Sequence, residues 1–375
     1  MKLRFCLLVF MATVMLAEVA VAFPTLTRKG YTSCATCHYN PSGGGSLTSY
    51  GKYIAQEVYG IFNDSSNAAP FLVNPEYDVG TFKEPWLVAA AMMRGVQVFT
   101  DSDEVRKYKT NRMQLDLEIG AAQNGWQAIA TLGPRLDSAI PGQNEFDSLE
   151  LRRWWVGKVV LEYAVRAGKF MPEFGIYHPN HNIPPRKGLY FNHNEEPEIF
   201  QATKFSETFD YTVALLRGSK ETELEDKQGY LGTVAYKTGM SRYGVSHLDM
   251  SNSDDDTKDV ASGVFAQVGH LQHYYLLAEL DKKEKYVAGN RTKNDTLGYM
   301  ELGWEFGKAI STYLNMDYTN RQEEKVTITS PGVGFLIYPL THTEVAVQFG
   351  RSYADSDVYG SSQANRGFLM MNVYF

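Results

Sequence analysis

Apolar and polar residues alternate with a period of two along most of the chain, in segments of about ten residues that begin at Trp86. Between residues 113 and 119, methionine, leucine and isoleucine fall on one face, while glutamine, aspartate and glutamate fall on the other. Residues 310–318 and 342–350 repeat this pattern. Many short alternating segments are the sequence signal of a transmembrane β-barrel, with one face toward lipid and the other toward a watery lumen.

The alternating segments number about sixteen, an even count as expected for a bacterial barrel. Strands are predicted at 86–100, 110–121, 125–137, 147–157, 159–170, 197–206, 207–217, 228–237, 240–250, 258–269, 272–281, 294–306, 309–319, 325–338, 340–351 and 365–375. The sequence therefore predicts an all-β fold, a 16-stranded antiparallel transmembrane β-barrel over residues 86–375. The alternative is a soluble β-sandwich or a stack of meanders.

The connections between the predicted strands orient this barrel. Tight turns such as Asn124–Gly125 and Gly307–Lys308 alternate with longer connections such as 101–109 and 281–293. Because short turns of bacterial barrels face the periplasm, both termini are expected on the periplasmic side. The chain ends on Phe375, which resembles the aromatic end of the last strand of outer-membrane proteins.

The first residues predict export. Lys2 and Arg4 precede an apolar run, and the small-residue pattern Ala20-Val21-Ala22 follows it. These features are typical of a secretory signal peptide, here residues 1–22, and its removal would also remove Cys6.

The motif Cys34-Ala35-Thr36-Cys37-His38 then holds both remaining cysteines. This spacing is the attachment signature of a c-type haem. Cys34 and Cys37 would form thioethers with the porphyrin vinyl groups, and His38 would be the proximal ligand of the haem iron. The alternatives are a Cys34–Cys37 disulfide, or half of a zinc site whose second ligand pair is missing nearby.

Residues 23–85 are predicted to form a short monohaem cytochrome c module and a linker. The glycine-rich stretch 40–45 predicts a flexible turn, and residues 46–59 predict a brief helix. A module of this length is too short to bury a haem by itself. We therefore expect the haem to pack against the barrel, either at its periplasmic side or inside it.

One predicted connection, residues 171–196, is much longer than the others. Four prolines stiffen it, and it resembles the third external loop of general porins, which implies that it folds into the lumen and narrows it. Candidate functional residues on this loop are His178, His181, His193, Arg186 and Lys187, and Glu150, Arg152, Glu162 and Arg166 are expected to point toward it from neighbouring strands. The simpler interpretation is that these charges only solvate a channel wall.

Charge and motifs narrow the possible functions. The formal net charge of -7 argues against nucleic acid as a binding partner. No hydrolase nucleophile with its base, phosphate-binding glycine loop or histidine-carboxylate metal set is recognisable, so no substrate-transforming site is predicted. The acidic stretches 253–256 and 355–357 are interpreted as solvated loop tips, with divalent-cation binding as the alternative.

The haem motif behind a signal peptide, the segment Tyr50-Gly51-Lys52 and about sixteen strands together resemble the fused monohaem cytochrome-porins of the bacterial outer membrane. The resemblance implies one covalent haem c, outer-membrane lipids around a porin-like barrel, and electron transfer between periplasmic c-type cytochromes and an extracellular metal or redox partner such as Fe(II). The greatest enzymatic activity that the resemblance implies is that of an Fe(II)-oxidising cytochrome. The alternative function is a solute-conducting porin of the phosphate-selective type, with a haem-bearing or disulfide-bearing plug. Candidates for the sixth iron ligand are Met92, Met93, His178, His181 and His193.

Overall fold

A computed structural model of the chain describes residues 24–40, 43–62, 76–78, 81–83, 85–102, 106–134, 149–178, 182–189, 191, 196–219, 224–358 and 360–374. Sixteen antiparallel strands pair in sequence order, and the last strand pairs with the first to close a barrel. The predicted all-β barrel is confirmed. The signal-peptide region 1–22 and Phe375 lie outside the described residues.

A hairpin of two short strands, β1 (Glu76–Asp78) and β2 (Thr81–Lys83), precedes the barrel. The barrel strands are β3 (Leu87–Ser102), β4 (Arg106–Gln123), β5 (Trp126–Pro134), β6 (Leu149–Val160), β7 (Tyr163–Lys169), β8 (Glu198–Phe205), β9 (Phe209–Arg217), β10 (Gln228–Thr238), β11 (Ser241–Asn252), β12 (Thr257–His270), β13 (Tyr274–Val287), β14 (Asn290–Gly307), β15 (Ile310–Arg321), β16 (Val326–Ile337), β17 (Thr343–Ser356) and β18 (Ser362–Tyr374). The helical segments are Pro24–Lys29 and Cys34–Thr36, both 3-10 helices, and the α-helices Ser49–Val58 and Pro184–Gly188.

The barrel is polar inside and apolar outside. On β4, Asp116 and Glu118 are buried against the interior, whereas Leu117 and Ile119 are exposed on the outer face. Exposed aromatic side chains gather beside the short turns at one end: Trp126, Tyr163, Phe205, Phe209, Tyr236, Tyr243, Tyr274, Trp304, Phe306 and Phe335. Apolar outer residues flanked by an aromatic girdle are the exterior of a transmembrane barrel.

Several predicted long connections are in fact strand. Residues 281–293 were expected to form a loop, but β13 runs to Val287 and β14 begins at Asn290. The loop predicted at 101–109 is likewise mostly strand. Paired backbone groups satisfy their hydrogen bonds whether the side chains are apolar or charged, so polar sequence alone does not end a hairpin. The long connections 170–197 and 218–227 remain.

A β-bulge on β6 turns two adjacent arginines toward the interior. Strict alternation would place Arg152 and Arg153 on opposite faces of the strand. The register between β5 and β6 shifts at this point, because Thr131 pairs with Arg153 and Leu132 pairs with Leu151. Arg152 is the extra residue, and both arginines are buried toward the interior.

Residues 24–62, which we call the plug, occupy the short-turn end of the barrel. The Arg28 guanidinium is fully buried and donates a 2.7 Å hydrogen bond to Glu305 Oε1 on β14. The Tyr59 ring packs against Tyr338, with ring centroids 4.1 Å apart, and the Ile61 N–H bonds to the Tyr338 carbonyl. The described residues of the plug therefore lie in the barrel mouth at the short-turn end.

Within the part of the chain that the structure describes, no helix is long and apolar enough to cross a bilayer.

Candidate functional site

The haem-attachment motif forms a tight 3-10 turn within the plug. The backbone N–H groups of Cys37 and His38 both bond to the Cys34 carbonyl, at 3.1 and 2.9 Å. Cys34 and Cys37 are free thiols in this conformation. The turn therefore holds the two thiols and the imidazole close together, as the sequence motif predicted.

The His38 ring has one satisfied nitrogen and one unsatisfied nitrogen. Its Nδ1 lies 3.0 Å from the Gly44 carbonyl oxygen, which can only accept a hydrogen bond, so Nδ1 carries the proton. Its Nε2 is buried and has no hydrogen-bond partner among the described residues. Burial lowers the pKa of His38 to about 4, so the ring is neutral at physiological pH. A buried, neutral imidazole with a free Nε2 lone pair is able to coordinate a metal ion.

A turn of three glycines places the Gly44 carbonyl beneath His38. Gly43, Gly44 and Gly45 have φ angles of +77°, +72° and +67°, a region that side chains disfavour. A Cβ atom at Gly45 would lie 2.4 Å from the Glu118 carboxylate oxygens. The triple glycine is therefore required both by the turn and by close contact with the barrel wall.

Two hydrogen bonds join this turn to the inner wall. The Ser46 N–H donates to Glu118 Oε1 at 2.6 Å, and the Gly45 N–H contacts Met92 Sδ at 3.0 Å. Met92 therefore contacts the glycine turn directly from the inner wall. Met93 is 45% exposed on the outer face, which does not suit its predicted role as the sixth iron ligand.

The long connection between β7 and β8, which we call the inner loop (170–197), crosses the lumen above the plug. The Gly175 N–H donates to Ser246 Oγ on β11, and the Ile176 N–H donates to Glu279 Oε2 on β13, each at 3.0 Å. Lys283 Nζ holds the Gly188 carbonyl at 2.7 Å. The prediction that this connection folds inward is confirmed.

The inner loop gives the motif an apolar neighbourhood. Tyr39, which follows His38, belongs to a buried cluster that includes Phe170, Phe174 and Phe191 of the inner loop. The barrel and its loop thus bury the segment that directly follows the motif.

The Cys34 thiol lies between the plug and the charged lining. Part of its surface is accessible, yet desolvation raises its pKa to about 11, which is consistent with a position beside an enclosed gap. The positive charges of Arg242 and Arg186 oppose this rise, whereas Glu173 adds to it. Both arginines are therefore close enough to act electrostatically on the cysteine that opens the motif.

The other predicted site residues are dispersed. Arg152 and Arg166 point inward, and they pair with Asp116 at 2.6 Å and Glu173 at 3.5 Å. Glu150 pairs with Gly133, whose Cβ position lies beside Asp116 on the inner face, so Glu150 is on the inward face as predicted. The prediction for Glu162 was wrong. Glu162 lies in a short turn with a φ of +70°, where it pairs with Lys204 instead of facing the lumen.

Among the three predicted histidines, His178 lies in the described part of the chain, where it contacts the barrel wall. His178 Nε2 lies 3.5 Å from Glu301 Oε2 and 3.4 Å from the Tyr299 hydroxyl, on the β14 wall. His181 and His193 lie outside the described residues. Of the two loop cations, Arg186 is buried and Lys187 is exposed.

The acidic stretch 253–256 forms a turn, whereas residues 355 and 356 end β17 and the turn begins at Asp357. Asp255 Oδ1 accepts hydrogen bonds from the backbone and the hydroxyl of Thr257, as a solvated turn does. No group of three or more His, Cys, Asp or Glu side chains in the described ranges is arranged to hold a metal ion.

Sequence reasoning missed the residues that hold the plug in place. Arg28, Glu118 and Glu305 are buried and join the plug to the wall, but they look like ordinary charged positions in the sequence. The available signal was a charged residue on the inward face of a strand, as Glu118 is. The residue to which Glu118 bonds could not be predicted from the alternation of polar and apolar positions.

Comparison with known proteins finds similar barrels among solved structures. No family model matches the chain, and no curated protein does. Among solved structures, the chain is similar to an anion-selective porin from Comamonas acidovorans, with 10% identity over 77% of this chain and 99% of that chain and a TM-score of 0.56. It is also similar to the outer-membrane channel DcaP of Acinetobacter baumannii, at 10% identity, 77% and 97% coverage and a TM-score of 0.56. OprB of Pseudomonas putida gives 8% identity, 77% and 94% coverage and a TM-score of 0.58.

These likenesses establish a porin-like fold. At such low identity they carry no function, substrate or partner to this chain. The covered share of this chain is about what the barrel alone spans, and none of these names mentions a haem.

Proposed function

We propose that this protein is an outer-membrane, porin-like barrel whose plug carries one covalent haem c, and that it transfers electrons across the outer membrane. Cys34 and Cys37 hold the haem through thioethers, and His38 is the proximal ligand. The observation that carries the proposal is His38 itself. Its Nδ1 is bound to Gly44, while its buried Nε2 has no partner in the described structure.

The residues present fit a haem in three further ways. The two thiols are free and stand on one turn with the histidine. Phe170, Phe174 and Phe191 provide apolar surface beside Tyr39. Burial of an unpaired polar nitrogen costs about 1–3 kcal/mol, and an iron bond at Nε2 would remove that cost.

The position of the plug determines how a bound haem could exchange electrons with partners on both sides of the membrane. When bound, a c-type haem supplies reversible one-electron exchange. The Arg28–Glu305 pair and the Glu118 hydrogen bond hold the motif inside the barrel mouth, and the inner loop excludes water above it. We infer that periplasmic c-type cytochromes exchange electrons at the plug, and that an extracellular metal such as Fe(II) or another redox partner acts from the long-loop side.

A second candidate function is a solute-conducting porin in which the motif is only a plug. The comparisons favour this candidate, since the named neighbours include an anion-selective porin and an outer-membrane channel. Buried arginines along the lumen also fit it, because they attract anions. The two candidates differ in what crosses the barrel.

Purified protein in liposomes separates the two candidates. Reduction of a redox dye trapped inside is measured after an external reductant is added, and leakage of a small anionic solute is measured in the same vesicles. We expect dye reduction with little leakage, and loss of reduction in the Cys34→Ser/Cys37→Ser variant with the barrel still folded. Equal dye reduction by both proteins, together with rapid solute flux, would establish the porin.

A further inference from the structure

Arg186 is a buried cation for which the described part of the chain supplies no ion-pair partner. Its side chain is 3% exposed, and its Nε and Nη1 atoms have no hydrogen-bond partner among the described residues. By contrast, Arg28, Arg152, Arg166 and Arg242 each pair with a carboxylate. Removing a charge from water without a partner costs several kcal/mol, so a missing partner is expected at Arg186.

Two aromatic rings hold the guanidinium in place. Its Cζ atom lies 4.3 Å from the centroid of Tyr177 and 5.7 Å from that of Phe191. Stacking of this kind occupies the faces of the planar group and leaves its N–H edge available. That edge is a fork suited to a carboxylate or phosphate, which accepts two parallel hydrogen bonds.

Packing places Arg186 in the same region of the interior as the plug. Phe191, against which the guanidinium packs, belongs to the same buried cluster as Tyr39, the residue that follows His38. Among the described residues, no carboxylate forms an ion pair with Arg186, and its Nε and Nη1 atoms remain without a hydrogen-bond partner.

We propose that Arg186 is an anion-binding residue whose ligand is a carboxylate group. The carboxylate comes either from a haem propionate, an assignment that rests on the proposed function, or from a free carboxylate solute in the lumen. Both sources require the same fork and the same desolvated position. They differ in whether the ligand is attached to the plug.

Three variants test the proposal. Arg186→Met removes the charge and preserves apolar volume, and Arg186→Lys restores the charge without the fork. Lys187→Met is the matched control, because it removes the same charge from the adjacent, exposed position on the same short helix. Heat-modifiable gel mobility first establishes that each barrel is folded.

The haem-bound source predicts a change in reduction potential at constant haem content. Loss of a nearby positive charge disfavours the reduced iron, so Arg186→Met should lower the midpoint potential. Arg186→Lys should restore part of it, and Lys187→Met should leave it unchanged. Acetate should then have no effect on the haem-loaded protein.

The free-solute source is tested in the Cys34→Ser/Cys37→Ser background, which carries no covalent haem. Acetate at constant ionic strength, compared with chloride, should raise the unfolding temperature, because a ligand that binds the folded state stabilises it. Adding Arg186→Met should weaken acetate binding about tenfold or more, since a charged hydrogen-bond donor is lost.

Either positive result supports the anion site, and only the first depends on the haem. If the protein proves to lack haem, the acetate measurement still decides the question. If Arg186→Met behaves like Lys187→Met in both measurements, the proposal is overturned.

Discussion

Arg28 and Glu305 form a buried ion pair, 2.7 Å from Nη2 to Oε1, that joins the N-terminal plug to the inner wall of β14. Lys29 Nζ lies 3.3 Å from the other oxygen of the same carboxylate. Two cations thus converge on one acidic side chain at the barrel mouth. The plug is held there by specific charges as well as by apolar packing.

Replacement of Arg28 should loosen the plug. Breaking a buried pair by removing one partner costs about 3–5 kcal/mol, and Lys29 should offset only part of this. We expect Arg28→Met to increase proteolytic cleavage within residues 24–62 while the barrel stays resistant. Lys29→Met, at a partly exposed position, should have a smaller effect, and equal resistance of Arg28→Met and wild type would contradict this role.

Two adjacent glycines allow a matched test of how the turn docks. Gly44 and Gly45 have similar positive φ angles, but only a Cβ at Gly45 would meet Glu118. Gly44→Ala should therefore cost about 1–2 kcal/mol of backbone strain. Gly45→Ala should cost more and expose the plug to protease. Indistinguishable protease sensitivity of the two variants would show that the Glu118 contact is unimportant.

The motif thiols should react slowly in haem-free protein. Burial raises the pKa of Cys34 to about 11 and that of Cys37 to about 12, so both stay protonated at neutral pH. At pH 8, alkylation should be about a hundredfold slower than for a cysteine of ordinary pKa, and it should accelerate as the pH rises toward 11. An Asp255→Cys substitution in the double-serine background provides the exposed control. Reaction only after a reductant is added would favour the disulfide alternative.

The orientation of the barrel can be tested with inserted epitopes. The plug lies at the short-turn end, which we place in the periplasm. An epitope at Asp255 should be accessible on intact cells, and one at Gly307 should become accessible only after the outer membrane is permeabilised. The opposite labelling would invert the orientation.

Sequence alternation predicted the barrel well because every strand buries one face and exposes the other. It located the ends of hairpins poorly, as at 281–293, since charged strands pair beyond the apolar band. Alternation alone would also place Arg153 on the face opposite Arg152, whereas the bulge turns both inward without changing the composition. Strand register is set by pairing with a neighbour, which one segment does not reveal.

The sequence revealed the motif of the candidate site, whose residues are close together in the chain. It did not reveal the contacts of that motif's surroundings with residues far away in the chain. The spacing of Cys34, Cys37 and His38 is local, so the motif could be recognised directly. The contacts of the plug with Glu118 and Glu305 join residues far apart in the chain, and they depend on how the barrel closes. The inward path of the inner loop was expected from its resemblance to the third external loop of general porins, but the burial of Arg186 beside exposed Lys187 was not.

The most direct test of the central claim is the covalent haem content of the purified protein. After denaturation and acid-acetone extraction of loose haem, we expect a reduced pyridine haemochrome spectrum of the c type with one haem per chain. We also expect its loss in the Cys34→Ser/Cys37→Ser variant. A folded wild-type barrel without covalent haem, made in cells that attach haem to other cytochromes, would contradict the account.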